Sequence, residues 1–376
     1  MAATPVELTW DQVLSWRMDR QLLHRLDDID TTAIVQRLAG VHAQVTSSAE
    51  QAVGVRRPDG TSDVAKALAN RTIVKTWAFR GTLHLLAAED AGAYLSLLAA
   101  ARTWEKAAWQ REFATAEQMA AIAEAATAAL DGAVLTRESL ADEIIARTGD
   151  ASLGDKLISG WSAVLKPLAW QGLLCNGTSQ GNRVTFTNPA TWLPGWKGLP
   201  DPADAVAVAI PSYLGAHGPA SMTAFDQWLH RGAAKKSTLK SWFGALMESS
   251  ALTVVKVDGV PLYARTADVD ALAAAVPSDQ VRLLPAFDQY VLGPGTRDHR
   301  IITPARRSLI SRAAGWISPV VVAGGRVAGT WQGNGDALVV KLFSEAGAVD
   351  QTALDAEVAV LERVIGRQFT TSVVTI

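Results

Sequence analysis

Three stretches of this chain repeat one order of elements: short amphipathic helices, then two strand-like runs joined at a glycine-containing turn. In the first, Thr9 is placed to cap a helix through Arg20 whose Trp10, Val13 and Leu14 share a face. Thr31 or Thr32 caps the next, with Ile34, Leu38 and Val41 as its stripe, and a strand over 81–87 closes the unit. In the second, Thr136-Arg137-Glu138-Ser139 opens a helix through Arg147, a longer helix is expected over 156–172, and runs at 173–175 and 183–187 flank a hairpin turn at 176–181. In the third, Ser221 caps a helix through His230, a helix over 237–247 follows, and Asp258-Gly259 joins β-rich runs at 252–257 and 260–264.

Helices followed by a hairpin, with one longer helix free to read a groove, is the order of a winged helix. Beyond residue 281 the pattern changes to short strands at 282–286, 290–292, 319–323, 326–331 and 337–343, which suit a small antiparallel barrel. A last helix over 352–367 carries Leu354, Val358, Leu361, Val364 and Ile365 at helical spacing. The expected fold is therefore α+β: three tandem winged-helix units with a C-terminal small antiparallel β-barrel. The divisions are 1–89 (first unit), 90–130 (alanine-rich bridging helices), 131–200 (second unit, with the hairpin wing), 201–280 (third unit) and 281–376 (barrel and final helix). The Pro-, Gly- and Trp-rich run 189–211 reads as a linker.

At 376 residues, with 49% hydrophobic and 19% charged residues, the chain has apolar material for several small cores and no disordered signature. Cys175 is the only cysteine and the six histidines are scattered, so no metal site and no cofactor is expected. Residues 1–11 carry Glu7 and Asp11 and lack the basic-then-apolar order of a secretory signal, and no run is long and apolar enough to span a bilayer. A cytoplasmic monomer is the expectation. A formal net charge of −2 argues against coating nucleic acid by bulk electrostatics but leaves room for a local basic face. The basic pieces are Arg56-Arg57, Lys235-Lys236 with Lys240, and Arg306-Arg307 with Arg312. Each of them also reads as ordinary solvated surface.

Polar clusters interrupt the apolar pattern at two places. Gly40-Val41-His42-Ala43-Gln44 closes the first helix pair with two polar side chains where a helix pattern wants apolar ones, and Trp77-Ala78-Phe79-Arg80-Gly81-Thr82-Leu83-His84 follows later. At a helix end, a neutral imidazole at 42 and an amide at 44 can hold one water between them; a half-buried histidine beside a surface amide is the bland alternative. Arg80 and His84 are candidate donors to the same place, and strand alternation sets Thr82 and His84 on one face. Gly177-Thr178-Ser179-Gln180-Gly181 matches a nucleophile elbow in letters only, because strand flanks it on both sides where an elbow needs a following helix. Gln180, Asn182 and Arg183 at this hairpin tip are candidate DNA contacts, as are Lys235 and Lys236. Of the thirteen tryptophans, Trp161, Trp170 and Trp228 read as core, and Trp77, beside the polar cluster, is a candidate for contact with a base.

Five strings, Leu38 to Gln44, Trp77 to Leu85, Gly218-Pro219-Ala220-Ser221, Leu284-Pro285-Ala286-Phe287-Asp288 and Val327-Ala328-Gly329-Thr330-Trp331, resemble the AlkZ-like (YcaQ-like) winged-helix DNA glycosylases in family order. The resemblance covers nearly the whole chain. It implies three winged helices, a barrel, a double-stranded DNA partner carrying alkylated bases, and catalysis by a Gln-x-Gln or Gln-x-Asp motif. Here His42 stands at the first position and Gln44 at the second, a form similar to a branch tied to natural-product DNA adducts. With no lysine in the motif, the expected enzyme is a monofunctional glycosylase of base excision repair or self-resistance, acting on N7-alkylguanine-type adducts. Two other readings stay open: a non-catalytic winged-helix DNA binder or regulator, and a degenerate glycosylase in which His42 marks lost activity.

Overall fold

The computed structural model describes residues 5–160 and 162–376; Trp161, expected in a core, lies outside the described residues. The chain forms two compact units. One holds the described residues up to Val64 with Ile210–Trp228 and Lys235–Ile376, and the other holds Ala65–Ala209 with Leu229–Ala234. Among the described residues no helix is long and apolar enough to cross a membrane.

In the first unit, Thr9 and Gln12 form the capping box that opens helix Trp10–Arg20, each side chain bonding the other's backbone N–H. The helix is buried on two sides rather than one. Val13 and Trp16 pack with Leu8, Val255, Val257 and Leu262, while Leu14 and Met18 pack with Leu284, Tyr290, Val320 and Val327. Buried Arg17 donates to the carbonyls of Gly218 (3.0 Å) and Pro219 (3.1 Å), which gives the Gly218-Pro219-Ala220-Ser221 string a partner 201 residues away. The next helix, Thr31–Arg37, is capped by Asp30, whose carboxylate accepts from Ala33 N at 2.7 Å; the expected caps Thr31 and Thr32 are already inside it. It ends where Ala39 (φ +54°) and Gly40 (φ +102°) turn left-handed, so Val41–His42 is extended strand and not the helix end expected.

Ser221 accepts from Ala224 N at 3.1 Å at the start of helix Met222–His230, and helix Lys236–Glu248 follows. Strands Leu252–Val257 and Val260–Arg265 pair antiparallel through Asp258 (φ +47°) and Gly259 (φ +78°), the two left-handed residues that a type I′ turn requires. The short strand Glu7–Leu8 runs parallel to the first of them.

The C-terminal sheet orders Val281–Leu284, Val320–Ala323, Arg326–Asn334, Ala337–Leu342 and Thr370–Thr375. It is open, with the first and last strands at its edges, so the expected barrel does not close. The cause is the crossover: helix Gln351–Ile365 returns the chain parallel to Ala337–Leu342, and its Leu354, Val358 and Leu361 cover one sheet face against Val281, Val321 and Trp331. The strand expected at 290–292 is instead a turn of helix, Gln289–Leu292, capped by Asp288. Gly329 is required by close approach, because a Cβ there would sit 2.3 Å from the Lys341 carbonyl oxygen.

In the second unit, strands Ile73–Trp77 and Leu83–Ala87 pair antiparallel, and helices Ala88–Ala100, Ala116–Ala129 and Arg137–Thr148 supply most of the helical mass. Thr136 accepts from Ser139 N to cap the last of these. The hairpin expected after residue 173 is present: Cys175–Asn176 pairs with Thr185–Thr187, which also pairs with Leu135–Thr136. The single helix expected over 156–172 is two, Gly154–Ile158 and Leu165–Trp170. Pro167 explains the break, since in a continuous helix its ring would clash with the carbonyl of residue 163, whereas as the third residue of a new helix its missing N–H costs nothing. Part of the expected linker is also helical, as Pro189–Trp192 and as the start of Pro202–His217, with Pro211 tolerated inside.

Candidate active site

His42 ends the short strand Val41–His42, and the residue is 5% exposed. Phe287 lies flat against it, with centroids 4.7 Å apart and planes 13° apart, and Trp316 meets Phe287 edge-on at 5.0 Å. Phe287 is held at φ +61°, a left-handed conformation that costs a non-glycine residue energy, so its ring is delivered by a backbone that the surroundings enforce. The next residue supplies that enforcement. Asp288 is fully buried and takes two hydrogen bonds from Arg56, at 2.7 and 2.8 Å.

Gln44 is exposed at the bend between that strand and helix Thr46–Gly54. A helix would set residues 42 and 44 on opposite faces; extended backbone followed by a bend does not. Val45, the N-cap, offers no side-chain acceptor to the first turn of the helix, whose partial positive charge favours an anion or a polarised water beside Gln44. From Val45 a groove of about 890 Å³ opens along Ser47, Gln51, Leu309, Arg312 and Trp316.

The second polar cluster lies in the other unit. His84 is 1% exposed; its Nδ1 donates to the Thr82 carbonyl at 3.0 Å, and Phe79 meets its ring edge-on at 4.8 Å. Thr82 is extended but precedes the strand, and its hydroxyl donates to the Phe79 carbonyl. Arg80 (φ +55°) and Gly81 (φ +72°) form a left-handed turn with Arg80 half-exposed.

The family described as DNA glycosylase AlkZ-like matches residues 35–364, a span that holds His42, Gln44, Phe287 and Asp288. The chain belongs to the AlkZ-like DNA glycosylases. It is 43% identical over 365 residues to the interstrand DNA cross-link repair glycosylase of Streptomyces sahachiroi, covering 96% of this chain and 98% of that one. The solved structure of the Streptomyces sahachiroi DNA glycosylase AlkZ matches with a TM-score of 0.94 at 41% identity, over 98% of this chain and 100% of that one. The chain is thus an N-glycosylase of DNA repair with a mixed α+β fold.

Other candidate contacts of this AlkZ-like glycosylase fall unevenly. Gln180, Asn182 and Arg183 are exposed at the hairpin tip, with Arg183 paired to Glu138 at 3.0 Å, a surface partner that a phosphate can replace. Lys235 and Lys236 are exposed at the start of helix Lys236–Glu248. Trp77, by contrast, is 5% exposed and packs on Phe186 in the core of its unit, which leaves no face for a base to stack on. Arg56 is likewise no surface clamp, being spent on Asp288. Sequence reasoning passed over the roles of Phe287, Asp288, Arg56 and Trp316. Phe287 and Asp288 stood in plain view in the string Leu284 to Asp288, but nothing local signals a partner 232 residues away.

Proposed function

We propose that this enzyme hydrolyses the N-glycosidic bond of cationic N7-alkylguanine-type adducts in double-stranded DNA, bulky adducts and interstrand cross-links included, with His42 and Gln44 as its catalytic pair. Alkylation at N7 makes the base a cationic leaving group. The C1′–N9 electron pair departs with the base, which leaves neutral, and water oxygen bonds to C1′ of the oxocarbenium-like sugar. His42 takes the proton that the water sheds, Gln44 orients the water, and an intact strand with an abasic site remains.

The observation that carries this reading is the seating of His42 on Phe287 with Gln44 exposed two residues on, next in the chain to Val45, which lines the groove. An open groove is what a bulky adduct needs, since full extrusion into a tight pocket is closed to it. The cross-link repair name of the 43% identical relative points the same way. We read the three helix-and-hairpin segments as winged helices, keep the divisions 1–89, 90–130, 131–200, 201–280 and 281–376, and take the working form as a cytoplasmic monomer in base excision repair or self-resistance. The test is incubation of wild type, His42→Ala and Gln44→Ala with duplexes carrying N7-methylguanine or a bulky N7-guanine adduct, then alkali to cut abasic sites. Release by wild type that both variants lose supports the pair; equal release by wild type and variants refutes it.

A further inference from the structure

In the second unit, a pocket of about 270 Å³ is lined by Arg80, Lys166, Trp170, His230 and Arg231, and among the described residues no carboxylate lines it. Lys166 is half-buried and Arg231 exposed, and among the described residues neither has an ion-pair partner. Among the described residues the buried Trp170 indole N–H has no acceptor. The left-handed turn at Arg80-Gly81 sits over both groups: a Cβ on Gly81 would lie 3.7 Å from the Trp170 ring and 3.8 Å from Lys166 Cδ. His230 Nε2 is held by the Leu97 carbonyl at 2.9 Å.

Lys166 and Arg231, two cations sharing a part-buried recess, repel one another, and the repulsion is relieved when an anion binds. Burial, and then the charge of Arg231, hold the Lys166 ammonium below the usual lysine range. We propose that this pocket receives one backbone phosphate of the DNA, with Lys166 and Arg231 supplying charge and the Trp170 indole a hydrogen bond. Its volume lies just below the usual range of small-molecule sites and suits a phosphodiester. The inference rests on the reading that the enzyme works on duplex DNA, and it adds a contact that fixes the register of the strand without reading sequence.

The experiment is equilibrium binding of the full chain to undamaged duplex across a salt series, for wild type, Lys166→Gln, Arg231→Gln and the double variant. Loss of one phosphate contact makes the slope of log K against log salt shallower by about 0.9 in the double variant, whatever the sequence of the duplex. An unchanged slope overturns the proposal, and so does a change of about 1.8, which means two phosphates. Inorganic phosphate added to wild type separates the sources: if it raises the melting midpoint of wild type but not of the double variant while the duplex slope stays unchanged, the pocket is a free-anion site and the proposal fails. Arg231 is exposed and Lys166→Gln removes a repulsion, so both variants are expected to melt no lower than wild type. Base release from adducted duplex by wild type is scored separately, so failure of the glycosylase reading is distinguishable from failure of the phosphate site.

Discussion

Asp288 accepts two parallel hydrogen bonds from Arg56, at 2.7 and 2.8 Å, and neither side chain has any exposed surface. Arg56 also donates to the carbonyls of Gln21 (2.9 Å) and Ala52 (2.6 Å), while Asp288 caps Gln289–Leu292 through Tyr290 N. The pair therefore ties the end of helix Thr46–Gly54, which follows Gln44, to the loop whose Phe287 lies on His42.

Removing one partner of such a pair strands a buried charge. Arg56→Met is expected to cost about 3–5 kcal/mol in chemical denaturation, and Arg56→Met with Asp288→Leu to recover much of it, because burying two apolar groups is cheaper than burying one ion. A loss below about 1 kcal/mol for the single variant would show that the pair does not hold the loop.

Phe287 lies flat on His42, and under the proposed mechanism it positions that ring without touching the reacting atoms. Phe287→Ala is expected to lower kcat for base release by about ten- to a hundredfold with little change in KM, as small misplacements of a catalytic group do. Phe287→Tyr, which keeps the flat face, should restore most of the rate. Single-turnover kinetics decide it: a KM effect alone would mean that the ring serves binding.

At position 42 an amide can hold the water that an imidazole holds but cannot take its proton. His42→Gln should retain measurable excision of N7-methylguanine where His42→Ala loses about a hundredfold or more. Acidification that protonates His42 should slow the wild type and leave His42→Gln flat, since imidazolium no longer accepts a proton. Parallel pH profiles for the two proteins would remove the general-base role.

Cys175 is buried in the short strand Cys175–Asn176, and burial pushes its thiol up to about 12 from an ordinary value near 9. The folded chain thus binds the proton more tightly than the unfolded chain does. This contribution to stability is full below pH 9 and is lost as pH rises from there through about 12. Thiol reagents at neutral pH should label Cys175 only as fast as the second unit opens, and Cys175→Ser should flatten the alkaline loss. Rapid labelling of the native protein would contradict its burial.

What the sequence by itself determined is local. The caps at Thr9, Thr136 and Ser221 act within three residues, and Asp258-Gly259 makes its turn from its own backbone preference, so each was legible in a short window. The strings that mark the family, and with them His42 and Gln44, were legible too. Helix 156–172 was misread although Pro167 stood inside it, because apolar spacing continued through the break. Tertiary structure alone decided the rest. The C-terminal sheet ends in Thr370–Thr375, which helix Gln351–Ile365 returns parallel beside Ala337–Leu342, and it does not close. Asp288 and Arg56, and under our proposal Lys166 and Arg231, owe their roles to neighbours that folding brings in from far along the chain. A buried charge or a cationic pocket is a property of surroundings, and surroundings exist only once the chain has packed.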